Sequence, residues 1–307
     1  MLAAIDVGSN TLRLLVGRVV AGRVVPEHCQ RQICRLAGGF SQEEGLSSTA
    51  MERTLSALQT FAETCRQNNV SEVKAIGTAA FRMATNGQSF ARQINSLTQL
   101  PFEIISGEEE AAYTARGVLS ALDPTPHCVL IVDIGGGSTE FVLCSKREVL
   151  WSRSLPLGVV RLVEAHASLP SLQIQIEQMI AELKEELDSV CRSAGFELIR
   201  IPLVGTAGTA TTLAALDLHM TKYNWQRINN YVLPFPRLQY WQRCLAPLSR
   251  TAREALPGME SGRGDLITAG LEIILCLMRH THSEALTVCD SGLLEGLLLS
   301  LQNSVKL

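Results

Sequence analysis

Apolar and polar positions alternate along the chain in a rhythm that switches repeatedly between strand and helix spacing. Met1–Val7 is an apolar run whose end carries Asp6-Val7-Gly8-Ser9-Asn10-Thr11, and Leu12–Gly17 follows as a second strand. Gly22 turns the chain into Arg23-Val24-Val25, so the spacing predicts a β-hairpin opening with a Gly/Ser/Asn-rich loop in its first turn. A helix is predicted over 47–68, capped by Ser47-Ser48-Thr49 and carrying Met51, Leu55, Leu58, Phe61, Ala62 and Cys65 at helical spacing. Val73–Gly77 reads as a strand, Gln88–Leu97 as a helix, Phe102–Ile105 as a strand and about 107–120 as a helix.

Asp123-Pro124-Thr125-Pro126 is the linker candidate, and after it the opening pattern recurs. Val129–Ile134 is a strand, Gly135–Thr139 a loop and Glu140–Leu143 a second strand, with Lys146-Arg147 turning into Val149–Trp151. A helix over about 170–194 and a strand over 198–204 lead to Gly205-Thr206-Ala207-Gly208-Thr209, which opens another helix. The remainder is mostly helical, with one strand near Ala285–Cys289. This alternation predicts an α/β architecture. The two opening aspartates lie 127 residues apart, about one domain, so the chain reads as a duplicated domain facing its copy across a cleft. The expected division is 1–122, completed by a C-terminal helix at 292–307, and 123–291.

Composition narrows the class. At 307 residues, 46% apolar and 19% charged with a net charge of −3, disorder is not expected. No apolar run approaches the ~20 residues that span a bilayer, so no membrane is expected. The near-neutral balance gives no general attraction to nucleic acid, so an anionic ligand must be met by local groups. The nine cysteines are scattered, odd in number and without a Cys-x-x-Cys pair. They fit reduced thiols and, with no basic leader at the N-terminus, a cytoplasmic location.

The strongest chemical signal is Asp133-Ile134-Gly135-Gly136-Gly137-Ser138-Thr139-Glu140. Three successive glycines disfavour helix and strand, and make sense where bare backbone N–H groups approach a ligand. Such a concavity suits phosphate oxygens, with the Ser138 and Thr139 hydroxyls as further donors, although a plain Gly-rich turn is the alternative. Asp133, at the strand end, is placed to order Mg²⁺ directly or through water. Gly8, Ser9, Asn10 and Thr11 form the matching loop, with Asp6 as a second metal-ordering carboxylate. Gly205, Thr206 and Gly208 precede a helix, where amides favour an anion or where Thr206 or Thr209 simply caps. Ser106-Gly107-Glu108-Glu109-Glu110 places three acids in one first turn. Dipole complementarity and capping by Ser106 explain part of this, and one carboxylate is left to take a proton from water. Arg82, Arg161 and Arg263 are guanidinium candidates for phosphate or ordinary surface arginines. His280-x-His282 lacks a carboxylate motif and reads as two helix-end histidines.

Taken together, Asp6-x-Gly-Ser-Asn-Thr, Thr78-x-x-x-Arg82-x-Ala84-x-Asn86, Ile105-Ser-Gly-x-Glu109-Glu110-Ala111, Asp133-Ile-Gly-Gly-Gly-Ser-Thr-Glu140 and Gly205-Thr-Ala-Gly-Thr resemble the exopolyphosphatase / guanosine pentaphosphate phosphohydrolase (Ppx/GppA) family. Leu157-Gly158-x-x-Arg161-Leu162, Arg263-x-Asp265-x-Ile267-x-x-Gly270 and Asp290-x-Gly292-Leu293-x-Glu295-Gly296 extend the resemblance along nearly the whole chain. It implies two actin-like, ribonuclease H-type domains with the active site in the interdomain cleft, and Mg²⁺-dependent hydrolysis of a terminal phosphoanhydride. The substrate would be inorganic polyphosphate or guanosine pentaphosphate, and a homodimer is compatible with the resemblance. The implied catalytic base is Glu110, with Glu109 next in line. The implied metal ligands are Asp133, Glu140 and Asp6. The chain departs from the family pattern at Ala207, where glycine is frequent. It is similar to the short two-domain form, and no His-Asp doublet of the longer members' extension is matched. Two rival readings remain: a phosphotransferase of the acetate- or sugar-kinase type, and a non-catalytic sensor of polyphosphate or guanosine tetraphosphate.

Overall fold

The computed structural model describes residues 1–41, 43–166 and 168–304. The chain divides into unit 1, Met1–Ser120 with Ser291–Leu307, and unit 2, Ala121–Asp290. Unit 1 holds β1 (Leu2–Val7), β2 (Thr11–Val20), β3 (Arg23–Ile33), α1 (Ser48–Gln67), β4 (Glu72–Gly77), α2 (Ala79–Met83), α3 (Gly87–Thr98), β5 (Phe102–Ile104) and α4 (Gly107–Ala121). Unit 2 opens with β6 (Cys128–Ile134), β7 (Thr139–Ser145) and β8 (Glu148–Leu155), followed by α5 (Val159–Ala165) and α6 (Leu169–Ser193). Then come β9 (Leu203–Thr206), α7 (Ala207–Asp217), α8 (Trp225–Ile228), β10 (Tyr231–Pro234), α9 (Phe235–Leu245) and α10 (Arg250–Glu254). α11 (Ile267–Thr281) and β11 (Ala285–Val288) close unit 2, and α12 (Leu293–Ser304) returns to unit 1. Positions 305–307 of the predicted C-terminal helix lie outside the described residues.

The unit 1 sheet has the order β3-β2-β1-β4-β5, and the unit 2 sheet is β8-β7-β6-β9-β11 with β10 added at the edge. In each, the first three strands in sequence form an antiparallel meander, and the later ones join parallel to the first, except edge strand β10, which is antiparallel to β11. A parallel neighbour requires a long crossover, which α1 supplies before β4 and α6 before β9. Equal strand order in both halves is the duplicated, actin-like ribonuclease H-type architecture.

In unit 1 one sheet face, with Ala3, Ile5 and Val7, packs with Leu58 and Phe61 of α1 and Phe90 and Ile94 of α3. The other face, with Ala4, Leu15 and Ile76, packs against Leu294, Leu297, Leu298 and Leu301 of α12. α12 and α4 touch through glycines. A Cβ on Gly117 would fall 1.9 Å from the Gly292 carbonyl oxygen, and one on Gly296 would fall 1.8 Å from that of Tyr113. The glycines of the Gly292…Gly296 motif therefore serve close backbone packing. In unit 2, Leu130, Val132, Phe141 and Leu143 pack with Ile176, Ile180 and Leu183 of α6 and with α7 and α11. Among the described residues no helix is long and apolar enough to cross a membrane.

Three local expectations change. The strand predicted over 198–204 is a 3₁₀ turn at Leu198–Arg200 followed by β9 at Leu203–Thr206. Pro202 has no N–H for a ladder, and Ile199 is exposed. β10 lacks period-two patterning of useful length, being a four-residue edge strand next to β11. α2 and α5 are too short to register as a helical period.

Candidate active site

The first turn of each unit is built alike. Gly8 N–H donates to Thr11 O at 3.1 Å, and Gly135 N–H donates to Ser138 O at 2.9 Å. The loop carbonyls are tied back by the segment that follows the third strand of each sheet. In unit 1, Ala37 N–H donates to Ser9 O at 2.8 Å, while the Cys34 and Arg35 amides donate to Asn10 O at 3.1 and 2.9 Å. In unit 2, Val159 N–H donates to Gly135 O at 3.0 Å, and the Val160 and Arg161 amides donate to Gly136 O at 2.9 and 3.2 Å. Among the described residues, the amides of Ser9, Asn10, Gly136 and Gly137 donate to no protein acceptor. Each loop thus presents bare N–H groups, the arrangement that binds an oxyanion. Gly135, Gly136 and Gly137 are not in the left-handed region. Space requires the glycine at position 158, where a Cβ would lie 2.1 Å from Gly137 C and 2.3 Å from Gly136 O.

The strand-end aspartates have different partners. Asp133 pairs directly with Glu140 across β6 and β7, and with Thr206 across β6 and β9, so the three side chains share one sheet face. Ser138 Oγ and Ser154 Oγ donate to Glu140 Oε1 at 2.6 and 2.8 Å. At the matching register of unit 1, Asp6 faces Arg13. Arg13 Nε and Nη2 both donate to Asp6 Oδ2, at 3.1 and 2.7 Å, while the buried Oδ1 has no hydrogen-bond partner among the described residues. Sequence reading passed over Arg13, although it stands seven residues after its aspartate, as Glu140 does. Ser154 carried no local signal, since only the β7–β8 register sets it opposite Glu140.

The acids of α4 separate by contact. Glu109 Oε2 accepts from Ser106 N–H at 2.8 Å, and Ser106 Oγ accepts from Glu109 N–H at 3.1 Å, a reciprocal capping box. Glu110 is buried, and its Oε2 accepts from Arg82 Nη1 at 2.9 Å. The same Nη1 donates to Ile105 O at 3.0 Å, which leaves Nε and Nη2 without a partner among the described residues. The Gly8 loop, Arg82 and Glu110 follow β1, β4 and β5, adjacent parallel strands, so all three leave the carboxyl edge of the unit 1 sheet. The Gly135 loop likewise follows β6, and neighbouring β9, which contains Gly205 and Thr206, runs directly into α7 at Ala207.

Some expected ligand residues serve packing here. Thr139 is fully buried and its hydroxyl donates to Leu157 O at 2.9 Å, so it holds the loop in place where phosphate donation was expected. A Cβ on Gly205 would press on Ala210 and Leu286 at 3.0 and 3.1 Å, a core contact. Gly208 lies under the Arg263 guanidinium, whose Nη2 would be 1.7 Å from an added Cβ, so Arg263 stands at the N-terminus of α7. Ala207, where the resemblance expects glycine, has a left-handed φ of 58°.

A model of the Ppx/GppA phosphatase family matches residues 15–305. The chain is 35% identical to exopolyphosphatase 2 of Mycobacterium tuberculosis, covering 97% of this chain and 98% of that protein. It is 32% identical to guanosine-5'-triphosphate,3'-diphosphate pyrophosphatase of Aeromonas salmonicida, over 97% of this chain but only 59% of that longer protein. Among solved structures, an exopolyphosphatase from Cytophaga hutchinsonii superposes with a TM-score of 0.86 at 28% identity, over 99% of this chain and 98% of that one. The Aquifex aeolicus member of the Ppx/GppA family does so with a TM-score of 0.81 at 28% identity, over 100% and 98%.

Proposed function

The chain belongs to the Ppx/GppA phosphatase family, and from that premise we propose that it releases orthophosphate from the end of inorganic polyphosphate. The relative matched over nearly its whole length is named an exopolyphosphatase, which favours polyphosphate over guanosine pentaphosphate as the substrate. The observation that carries a hydrolytic reading is the buried Glu110–Arg82 pair at the carboxyl edge of the unit 1 sheet.

In this reading the amides of Ser9 and Asn10 in unit 1 hold non-bridging phosphate oxygens, and those of Gly136 and Gly137 form a like oxyanion cradle in unit 2. Arg82 uses Nη1 to fix Glu110 and offers Nε and Nη2 to the terminal phosphoryl group. Glu110 aligns a water in line with the scissile bond and takes its proton. The water oxygen bonds to phosphorus as the bridging P–O bond breaks, and the shortened chain leaves with the electron pair. Little covalent chemistry is asked of the protein, whose part is positioning and charge stabilisation.

The residues present fit a Mg²⁺ ion. Asp133 and Glu140 set two hard-oxygen ligands side by side on one face of the unit 2 sheet. When bound, the ion would offset charge on the bridging and leaving oxygens. Asp133 and Glu140 are the principal ligands in this proposal, because Arg13 already balances Asp6. All nine cysteines are free thiols, in keeping with a cytoplasmic location.

The test is phosphate release from polyphosphate of defined lengths, with Mg²⁺ and no phosphoryl acceptor. Steady release is expected. No release at any length would sink the hydrolase reading in favour of a kinase, and tight binding without turnover would favour a sensor.

A further inference from the structure

Within unit 2, α6, α9 and α11 border a cavity of about 540 Å³ lined by Gln173, Glu177, Gln242, Glu272, Cys276 and Arg279 among others. Two of the lining residues, Glu177 and Cys276, stand with His280 so that three ligand atoms lie within 4.8 Å of one another. Cys276 and His280 are one helical turn apart on α11, which sets thiol and imidazole on a common face. Glu177 reaches across from α6. Its Oε2 accepts from Cys276 Sγ at 3.2 Å, and its Oε1 lies 2.6 Å from His280 Nε2.

We propose that Cys276, His280 and Glu177 form a zinc site, completed by water from the adjoining cavity. Thiolate, imidazole and carboxylate are the three ligand types of protein zinc, and three protein ligands plus water is the pattern of an open site. With metal–ligand bonds of about 2.0–2.3 Å, ligand atoms around a tetrahedral ion sit roughly 3–4 Å apart. The present separations approach that spacing, so side-chain rotation suffices to admit the ion. A sulfur ligand selects against Mg²⁺, which separates this site from Asp133 and Glu140.

The surroundings support a hydrated, exchangeable ion. Buried Glu272 accepts from Gln173 Nε2 at 3.0 Å and from Gln242 Nε2 at 2.6 Å, giving the cavity a polar floor that retains water. Arg279 lies 3.7 Å from Glu177 Oε2 and competes for the carboxylate, which weakens the site. A Cβ on Gly270, toward the start of α11, would fall 2.4 Å from Thr209 of α7. Tying α6 to α11 thus braces the helix packed against the start of α7.

The test is a Co²⁺ titration of metal-stripped protein in excess Mg²⁺, with Zn²⁺ as competitor. One equivalent of Co²⁺ is expected to produce a thiolate-to-metal charge-transfer band that Zn²⁺ abolishes, and excess Zn²⁺ should raise the melting temperature with the logarithm of its free concentration. Cys276→Ser, His280→Ala and Glu177→Gln should each lose the band, whereas Asp133→Asn should keep it. Glu177 is exposed, so the Gln variant reports on binding even if Cys276→Ser fails to fold. No band in folded wild-type protein, or a band that survives in the folded Cys276→Ser or Glu177→Gln variant, overturns the proposal.

Discussion

Asp133 stands opposite Glu140 in the β6–β7 ladder at the place where the β1–β2 ladder sets Asp6 opposite Arg13. One half of the duplication therefore sets two carboxylates side by side, the donor set of a hard cation, and the other sets a carboxylate against a guanidinium. Chelation is expected to abolish phosphate release and Mg²⁺ to restore it. Glu140→Gln should raise the Mg²⁺ concentration for half-maximal rate by about 10–100-fold, the range seen when metal-site carboxylates or their supports are altered. An unchanged Mg²⁺ requirement would remove Glu140 from the metal site.

The neighbours Glu109 and Glu110 should part company on mutation. Glu110→Gln is expected to lower kcat by about 10²–10⁴ with little change in KM, the usual size of a general-base contribution. Glu109→Gln should leave kcat intact and lower stability by roughly 1 kcal/mol or less, because only the capping box changes. Steady-state kinetics beside thermal melts decide it, and full turnover in Glu110→Gln would show the base to be another group.

Gly158→Ala tests the support of the unit 2 loop. The new methyl would meet the Gly136 and Gly137 backbone at 2.1–2.4 Å, and backbone does not yield as a side chain can. The variant should lose about 1–3 kcal/mol of stability, as overpacking typically does. Its KM for polyphosphate should rise, since the displaced atoms adjoin the anion-facing amides. A KM equal to wild type would mean the loop holds no phosphate.

Ala207→Gly should stabilise the protein. Ala207 has φ 58°, where a Cβ costs about 1–2 kcal/mol, against roughly 0.5–1 kcal/mol for glycine's greater chain entropy. A small upward shift in melting temperature is expected, and a downward one would refute the strain.

Acid should expose the Asp217 network. Burial alone would push this carboxyl up, but hydrogen bonds from Tyr231 and Trp241, at 2.6 and 2.8 Å, and from Arg237 hold it below its ordinary value. A carboxyl with a depressed folded pKa stabilises the fold above its unfolded pKa of about 3.9, and that stability fades as pH falls through the lower folded value. Asp217→Asn should therefore melt below wild type near neutrality, and the two curves should converge below about pH 4. Parallel curves down to acid would contradict the assignment.

The sequence by itself determined the duplicated strand–glycine loop–strand openings, the α/β alternation and the ordered motif set that places the chain in its family. These are local signals: a period of two or of about four residues, and a glycine run that neither helix nor strand tolerates. Tertiary structure decided what each side chain is bonded to. Register set Arg13 against Asp6 and Glu140 against Asp133. Capping geometry engaged Glu109, while burial beside Arg82 singled out Glu110. Thr139, read as a phosphate donor, is bound to the Leu157 carbonyl 18 residues on. His280, read as an ordinary helix-end histidine, meets Glu177 from 103 residues away. The chemistry of a hydroxyl, carboxylate or imidazole depends on which donors and acceptors surround it, and chain folding brings those partners from strands and helices far apart in sequence, where no local pattern records them.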